Sequence, residues 1–295
     1  MATDLYSSFD EQYMNINTKL KKRFMRKPNI SEATSEFNAL AVQCELAEQP
    51  MFAGHCYIGS AKCEAAMGNS AGEAECLLAA ARQFLKAETK MCSLKCYSPT
   101  RENLEAAIGC YLQTLDKYPN QWSLRTSVLM QLANSLSILG HKLEAITYYE
   151  QAMDNINENN ALKLKCLCCL LDLNILTGRH SIALNTANTI IDSGIHIPES
   201  TLTDVQITRI LLNFLVESPE DQQPESLKTL MTNLKNDNFE DLPFSIDVSL
   251  KLQSVQISLL LGDLESLVQV SGEKLFCLTQ QDLLLTLIRD MEGKL

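Results

Sequence analysis

The chain has 295 residues, of which 46% are apolar and 6% aromatic, and its net charge is −11. With only 11 glycines and 8 prolines, it is unlike a β-sandwich or barrel, which needs many turns and β-branched strands. The N-terminus lacks the basic flank and apolar centre of a secretory peptide, and no apolar run reaches the ~20 residues of a membrane span. We therefore expect an all-helical, cytoplasmic protein without a transmembrane segment.

The first predicted element is an amphipathic helix within residues 1–28. Its large apolar side chains recur every three or four residues, which predicts one apolar stripe along the helix. The stripe comprises Phe9, Tyr13, Ile16, Leu20 and Phe24. Pro28 ends this helix, and Asn29 with Glu32 three residues later predicts a capping box at the start of the next one.

The same helix ends in a basic cluster, although the chain is acidic. Six of the nine residues from Lys19 to Lys27 are Lys or Arg, whereas from Pro28 onward 33 acidic residues outnumber 19 basic ones. The helix dipole accounts for only two or three of these cations. We predict that the cluster is a partner-binding basic arm, which comprises Lys19, Lys21, Lys22, Arg23, Phe24, Arg26 and Lys27.

Other functions of the basic arm stay open at this point. It could dock on an acidic surface of its own chain, serve as a nuclear import signal, or attach to a membrane surface. Nucleic-acid binding is disfavoured because the acidic remainder of the chain would repel phosphates.

Small residues dominate the predicted helix pair that follows. The stretch "GHCYIGSAKCEAA" is dense in Ala, Gly and Ser, which lets helices pack at short distances. Ser70, with Glu73 three residues later, predicts a further helix start, and so does Ser98 before Pro99.

A repeat pattern occupies the middle of the chain. Small and large apolar residues recur there with a spacing that resembles the tetratricopeptide repeat, and the pattern returns from Leu167 to Ala183. The repeat signature comprises Leu129, Leu132, Ala133, Leu136, Gly140, Ala145, Tyr149 and Ala152. It predicts an α-solenoid of stacked antiparallel helix pairs. We expect a single elongated array over residues 1–295, with a possible break near residues 192–203.

One later stretch, "TRILLNFLVES", is apolar almost all round. Its large side chains from Ile210 to Val216 cannot all lie on one face of a helix. Either this helix is buried centrally or part of its surface contacts a partner.

No group of residues predicts catalysis or metal binding. The 4 histidines lie far apart, and the 11 cysteines occur singly or in two small clusters without a neighbouring histidine. These clusters are Cys92 with Cys96, and Cys166 with Cys168 and Cys169. We expect free thiols in a reducing compartment, no metal, no cofactor and no enzymatic activity.

Several stretches resemble the family of the forty-kilodalton huntingtin-associated protein, whose gene lies in an intron of the coagulation factor VIII gene. The most specific ones are "KLKKRFMRKPNISEA", "GHCYIGSAKCEAA" and "LLAAARQFLKAE". Weaker similarity extends through "LTDVQITRILLNFL" to "TQQDLLLTLIRDM". The resemblance therefore covers most of the chain. We expect the chain to lack the Ala/Gly-rich leader and the Pro-rich insertion of vertebrate members, since only "GIHIPESTLT" stands at the place of the insertion.

The resemblance implies a tetratricopeptide-like adaptor that is not an enzyme. Its implied partner is huntingtin, bound as a heterodimer, with a link to early endosomes through a Rab GTPase. The expected location is cytoplasmic and endosome-associated, with nuclear entry if the basic arm is an import signal. The alternative function is that of a basic-arm protein that shuttles to the nucleus or binds nucleic acid.

Overall fold

The computed structural model describes residues 2–21, 29–156, 159–219, 221, 223–272 and 276–293. Within these ranges the chain forms 14 α-helices and one short 3-10 helix, and no strand. The prediction of an all-α fold built from consecutive helix pairs is confirmed. The chain divides into two compact units, Met1–Gly140 and His141–Leu295.

The first unit is a sequence of helices in which each packs on the next. It contains α1 (Ala2–Leu20), α2 (Ile30–Leu46), α3 (Pro50–Ala66), α4 (Ser70–Ser93), α5 (Glu102–Lys117) and α6 (Trp122–Ile138). Connections of three residues join α2 to α3 and α3 to α4. Because such short turns leave no room for a crossover, these packed neighbours run antiparallel.

Small residues on α3 let its two neighbours approach its backbone. A Cβ atom added to Gly54 would lie 2.8 Å from the ring of Phe84 on α4, and one added to Gly59 would lie 2.9 Å from the ring of Phe37 on α2. Both rings are buried. The two glycines therefore hold an aromatic ring on either side of α3, where any larger residue would overlap it.

The second unit begins as another sequence of packed neighbours. It contains α7 (Lys142–Asp154), α8 (Asn160–Leu176), α9 (His180–Asp192), α10 (Glu199–Val216), α11 (Glu225–Lys235), α12 (Ile246–Leu261), α13 (Leu264–Ser271) and α14 (Leu278–Glu292). The 3-10 helix Phe239–Asp241 lies between α11 and α12. Helices α7 to α10 pack in chain order, but α14 packs back onto α10 and α8, and α12 also contacts α10.

Helix α10 is therefore the centre of the second unit. Ile210, Leu211 and Leu212 have no exposed surface, although they point in three directions around the helix. Neighbouring helices cover all of these directions, so the apolar stretch "TRILLNFLVES" is buried centrally over this part of its length.

The start of α2 lies where the sequence predicts it, and the start of α4 is capped one residue earlier than predicted. At α2, Asn29 Oδ1 accepts a hydrogen bond from the backbone N–H of Glu32 at 3.2 Å, and its Nδ2 donates to the Glu32 carboxylate at 3.0 Å. At α4 the cap is Asn69, one residue before Ser70, because the amide oxygen of Asn69 accepts the N–H of Gly72 at 3.1 Å.

The start predicted after Ser98 is wrong. Helix α5 begins at Glu102, and Arg101 before it has a left-handed backbone with φ of 53°. The hydroxyls of Ser98 and Thr100 bond to each other at 3.1 Å instead of capping the helix. The Pro99 segment is thus a turn that precedes the helix.

The unit boundary falls inside the predicted repeat, between Gly140 and His141. Gly140 has φ of +89°, a backbone conformation that other residues rarely adopt. The possible break near residues 192–203 lies within the second unit. Residues 193–198 form the loop between α9 and α10 there, and the remainder belongs to the two helices.

Candidate protein-binding site

The apolar stripe of α1 packs on its own chain. Phe9 stacks on Phe52 of α3 with ring centroids 4.4 Å apart, and Tyr13 meets Phe37 of α2 at 5.4 Å. Phe9 and Ile16 are buried in the same apolar cluster. Helices α2 and α3 therefore cover this part of the stripe, and it is not a free docking face.

Only the start of the basic arm lies within the described residues. Lys19 forms an ion pair with Glu36 on α2, and this hydrogen-bonded carboxylate raises the pKa of the exposed Lys19 ammonium. Lys21 is exposed. The remaining predicted residues lie outside the described part of the chain, namely Lys22, Arg23, Phe24, Arg26 and Lys27. One cation of the arm is thus paired within its own unit.

The residues of the repeat signature are all core residues, apart from the turn at Gly140. Leu129, Leu132, Ala133 and Leu136 are buried on α6, at the end of the first unit. Ala145, Tyr149 and Ala152 are buried on α7, at the start of the second unit. The seven buried residues therefore pack the core, whereas Gly140 lies exposed in its turn.

The cysteine cluster on α8 is buried or partly buried. Burial raises the pKa of the Cys166 thiol to about 12 and that of Cys168 to about 11, so neither is a thiolate near neutral pH. His55 packs edge-on against Phe84 at 5.2 Å, and burial lowers its pKa. No group of three or more His, Cys, Asp or Glu in the described ranges could hold a metal ion.

A buried arginine, which the sequence pattern did not single out, ties α9, α10 and α11 together. Arg209 has no exposed surface. Its guanidinium donates to Asn188 Oδ1 at 2.6 Å, to Ser226 Oγ at 2.7 Å and to Gln206 Oε1 at 3.5 Å. Ser226 donates in turn to Asp192 at 2.8 Å. All of these partners lie on α9, α10 and α11, so the hydrogen bonds of Arg209 hold these three helices together within the second unit.

The second unit contains a cavity of about 480 Å³ beside α10. Its apolar wall comes from four helices and includes Phe214, Leu215, Met231, Leu260, Leu287 and Met291. Two carboxylates, Glu217 and Asp290, also line it. Phe214 and Leu215 belong to the stretch "TRILLNFLVES", whose C-terminal turn is only partly buried.

Helix α12 has an exposed apolar stripe, here called the α12 stripe. It comprises Ile246, Leu250, Ile257 and Leu261, which are 62%, 47%, 49% and 76% exposed. At 3.6 residues per turn these positions fall within an arc of about 60°. These four side chains lie on one side of α12, in two pairs near the two ends of the helix.

The sequence contained part of the signal for this surface. The segment "SIDVSLKLQSVQISLLL" has more apolar residues than one buried face can use, just as "TRILLNFLVES" has. Periodicity alone could not separate the buried face of α12 from its exposed stripe, because both are apolar. The packing of α10, α11 and α13 on α12 decides which of its faces is covered.

Comparison with known proteins finds two relatives that share one name. The chain is 32% identical over 148 residues to the 40-kDa huntingtin-associated protein of Rattus norvegicus, and equally to that of Mus musculus. The matched stretch covers 49% of this chain and 39% of each relative, so the match spans about two fifths of the relatives' length. It confirms the sequence resemblance over about half of the chain. No protein-family model matches the chain.

Proposed function

We propose that this protein is a non-enzymatic interaction partner of huntingtin. The observation that carries the proposal is the 32% identity to two proteins named for their association with huntingtin. The fold is compatible with such a role, because units of packed helix pairs present large surfaces and serve many proteins for binding.

The chemistry of the described residues also supports a binding role. Burial holds the Cys166 and Cys168 thiols protonated, and the described residues contain no candidate metal cluster. No helix in the described ranges is long and apolar enough to cross a membrane. The exposed apolar side chains of α12 support a docking role.

The finer parts of the proposal concern stoichiometry and location. We propose a heterodimer with huntingtin, linked to early endosomes through a Rab GTPase in the cytoplasm. The basic arm adds electrostatic attraction toward an acidic partner surface, which speeds association.

Affinity purification tests the proposal directly. A tagged copy of the chain, expressed in cells of its own species, is expected to retain huntingtin in equimolar amount through a wash at moderate salt. Extensive apolar contact survives such a wash, whereas nucleic-acid binding weakens steeply with salt. Recovery of nucleic acid without huntingtin would refute the proposal.

A further inference from the structure

The loop between α4 and α5 contains a motif that the proposed function does not use. Residues 94–101 form this loop, and Ser98, Pro99 and Arg101 occur in it in the order Ser-Pro-x-Arg. The hydroxyl of Ser98 bonds to that of Thr100 at 3.1 Å, and α5 begins four residues after the serine. Ser98 is therefore not used as a helix cap.

From this motif we infer that Ser98 is a phosphorylation site for a proline-directed protein kinase that also recognises a base three residues after the acceptor. The kinase transfers the γ-phosphoryl group of Mg-ATP to Ser98 Oγ. The Oγ–P bond forms, the bond between the γ-phosphorus and the oxygen of ADP breaks, and the hydroxyl proton passes to the catalytic carboxylate of the kinase. The inference goes beyond the proposed function, because it concerns a modification of the chain and not its partner.

Two residues after Ser98 supply the features that such a kinase recognises. Pro99 has no backbone N–H, so it fits an apolar pocket that offers no hydrogen-bond acceptor. Any other residue in that pocket would leave a buried N–H unpaired. Arg101 supplies a positive charge for an acidic group of the kinase, and kinases select their substrates by such charge patterns.

A second Ser-Pro pair in the chain lacks the base. Ser218 precedes Pro219 in the loop after α10, and the residue three positions after Ser218 is Asp221. Like Ser98, Ser218 is partly buried and lies outside any helix. The two sites share the proline and a similar exposure but have opposite charges at the third position. The inference therefore predicts modification of Ser98 in preference to Ser218.

The loop presents the motif at the surface. Pro99 and Thr100 are exposed, and Tyr97 is 71% exposed. Ser98 is held by two hydrogen bonds to its own loop, because its carbonyl oxygen accepts the N–H of Arg101 at 3.2 Å and its hydroxyl pairs with Thr100. A kinase binds its substrate segment in an extended form, so these two local bonds have to open. The opening exposes no core side chain, since the loop contains no buried residue.

The charge of the loop favours the phosphorylated product. Lys95 and Arg101 are the charged residues of the segment 94–101, which contains no Asp or Glu. A phosphoserine adds about −1.5 to −2 charges at pH 7, and these two cations offset that charge within the same loop. Contact of Arg101 with the kinase replaces its surface ion pair with Glu105 at 3.6 Å, and exposed pairs of this kind contribute little to stability.

Phosphorylation of the full chain in vitro tests the inference. The chain is incubated with a purified cyclin-dependent kinase, its cyclin and Mg-ATP, and mass spectrometry measures the phosphate at each serine over time. We expect Ser98 to be modified about tenfold faster than Ser218, because the second site lacks the charge-assisted contact.

Variants of the motif separate recognition from general access to the loop. Pro99→Ala and Arg101→Asn should each slow modification of Ser98 about tenfold. Asparagine tolerates the left-handed backbone of position 101, and Arg101→Lys keeps the charge and should stay within about threefold of the unchanged rate. Lys95→Gln removes the other cation of the loop and should stay within about twofold, because it leaves both recognised positions intact. Thermal melting checks that each variant is folded.

The inference is overturned if the kinase leaves Ser98 unmodified or modifies Ser98 and Ser218 at equal rates. It is also overturned if Pro99→Ala and Arg101→Asn are modified like the unchanged chain, or if Lys95→Gln slows the reaction as much as they do. The proposed function is judged separately. A chain that retains huntingtin but is not modified at Ser98 refutes the inference and leaves the function standing. A chain that is modified at Ser98 but fails to retain huntingtin does the reverse.

Discussion

At the scale of single residues, glycines in the first unit differ in what surrounds them. Gly59 on α3 leaves no room for a side chain, because an added Cβ would lie 2.9 Å from the Phe37 ring. A Cβ atom added to Gly109 on α5 would have no such atom within 4 Å. One glycine is needed for close packing, and the other only adds freedom to the unfolded chain.

Alanine at these two positions is predicted to have opposite effects. Gly59→Ala forces the ring of Phe37 to move and should lower the free energy of unfolding by about 1–3 kcal/mol. Gly109→Ala restricts the unfolded chain and should raise it by about 0.4–1 kcal/mol. Urea unfolding followed by circular dichroism measures both changes. Equal stability of the two variants would contradict the packing of α2 on α3.

The buried guanidinium of Arg209 gives a second residue-scale prediction. Arg209→Ala leaves a cavity and removes the donors for Asn188 and Ser226, so the loss of unfolding free energy should be about 3 kcal/mol or more. Arg209→Met keeps most of the volume and should cost less. Arg289→Ala, at an exposed arginine on α14, serves as the control and should stay within about 0.5 kcal/mol of the unchanged protein. Urea unfolding measures the stability of the three variants, and we expect the largest loss for Arg209→Ala, a smaller one for Arg209→Met and the smallest for Arg289→Ala. Any other order would contradict a structural role of Arg209.

At the scale of elements, periodicity predicted the helices well and their ends less well. Asn29 was recognisable because an amide cap and a glutamate three residues later occur together. Ser70 was misplaced by one residue because Asn69 beside it is an equally good cap. The turn at Ser98 competes with a helix start, and only the left-handed backbone of Arg101 fixes where α5 begins.

The packing of α7 is tested by enlarging one of its small residues. Ala145 has no exposed surface, so Ala145→Leu should overpack the buried face of α7 and lower the free energy of unfolding by about 1–3 kcal/mol. Thr147→Leu places the same side chain at an exposed position of α7 and should change stability by less than about 0.5 kcal/mol. Thermal melting of both variants checks the prediction. If the Ala145 variant melts like the Thr147 variant, the repeat register derived from the sequence is wrong.

The candidate site was harder to predict than the fold. Apolar excess in the segments of α10 and α12 is visible in the sequence, but which side chains of α10 remain uncovered depends on α14, which returns from the end of the chain to pack on α10. A contact between elements so distant in sequence leaves no local signal. The same holds for Arg209, whose partners come from α9 and α11.

At the scale of the whole molecule, charge is divided unevenly between the units. Residues 1–140 hold 14 acidic and 14 basic residues, and residues 141–295 hold 22 acidic and 11 basic ones. The net charge of −11 therefore resides in the second unit. In the first unit, 6 of the 14 basic residues belong to the basic arm, so this unit without its arm is acidic as well.

The basic arm is thus the principal concentration of positive charge available to attract an acidic partner. Lys19 is paired with Glu36, whereas Lys21 is exposed. Reversing Lys21, Lys22 and Arg23 to Glu should slow association with huntingtin about tenfold at low salt, with a smaller effect at high salt and little change in dissociation. Surface plasmon resonance at two salt concentrations measures both rates.

A second triple variant controls for net charge alone. Lys62, Lys86 and Lys95 are exposed on the first unit, and their replacement by Glu changes the charge equally. We expect this control to slow association far less, because its charges are dispersed rather than clustered. A lower melting temperature of the free protein after reversal of the arm would instead mean that the arm docks on its own chain. If stability and binding are unchanged while nuclear entry is lost, the arm is an import signal and the docking hypothesis is wrong.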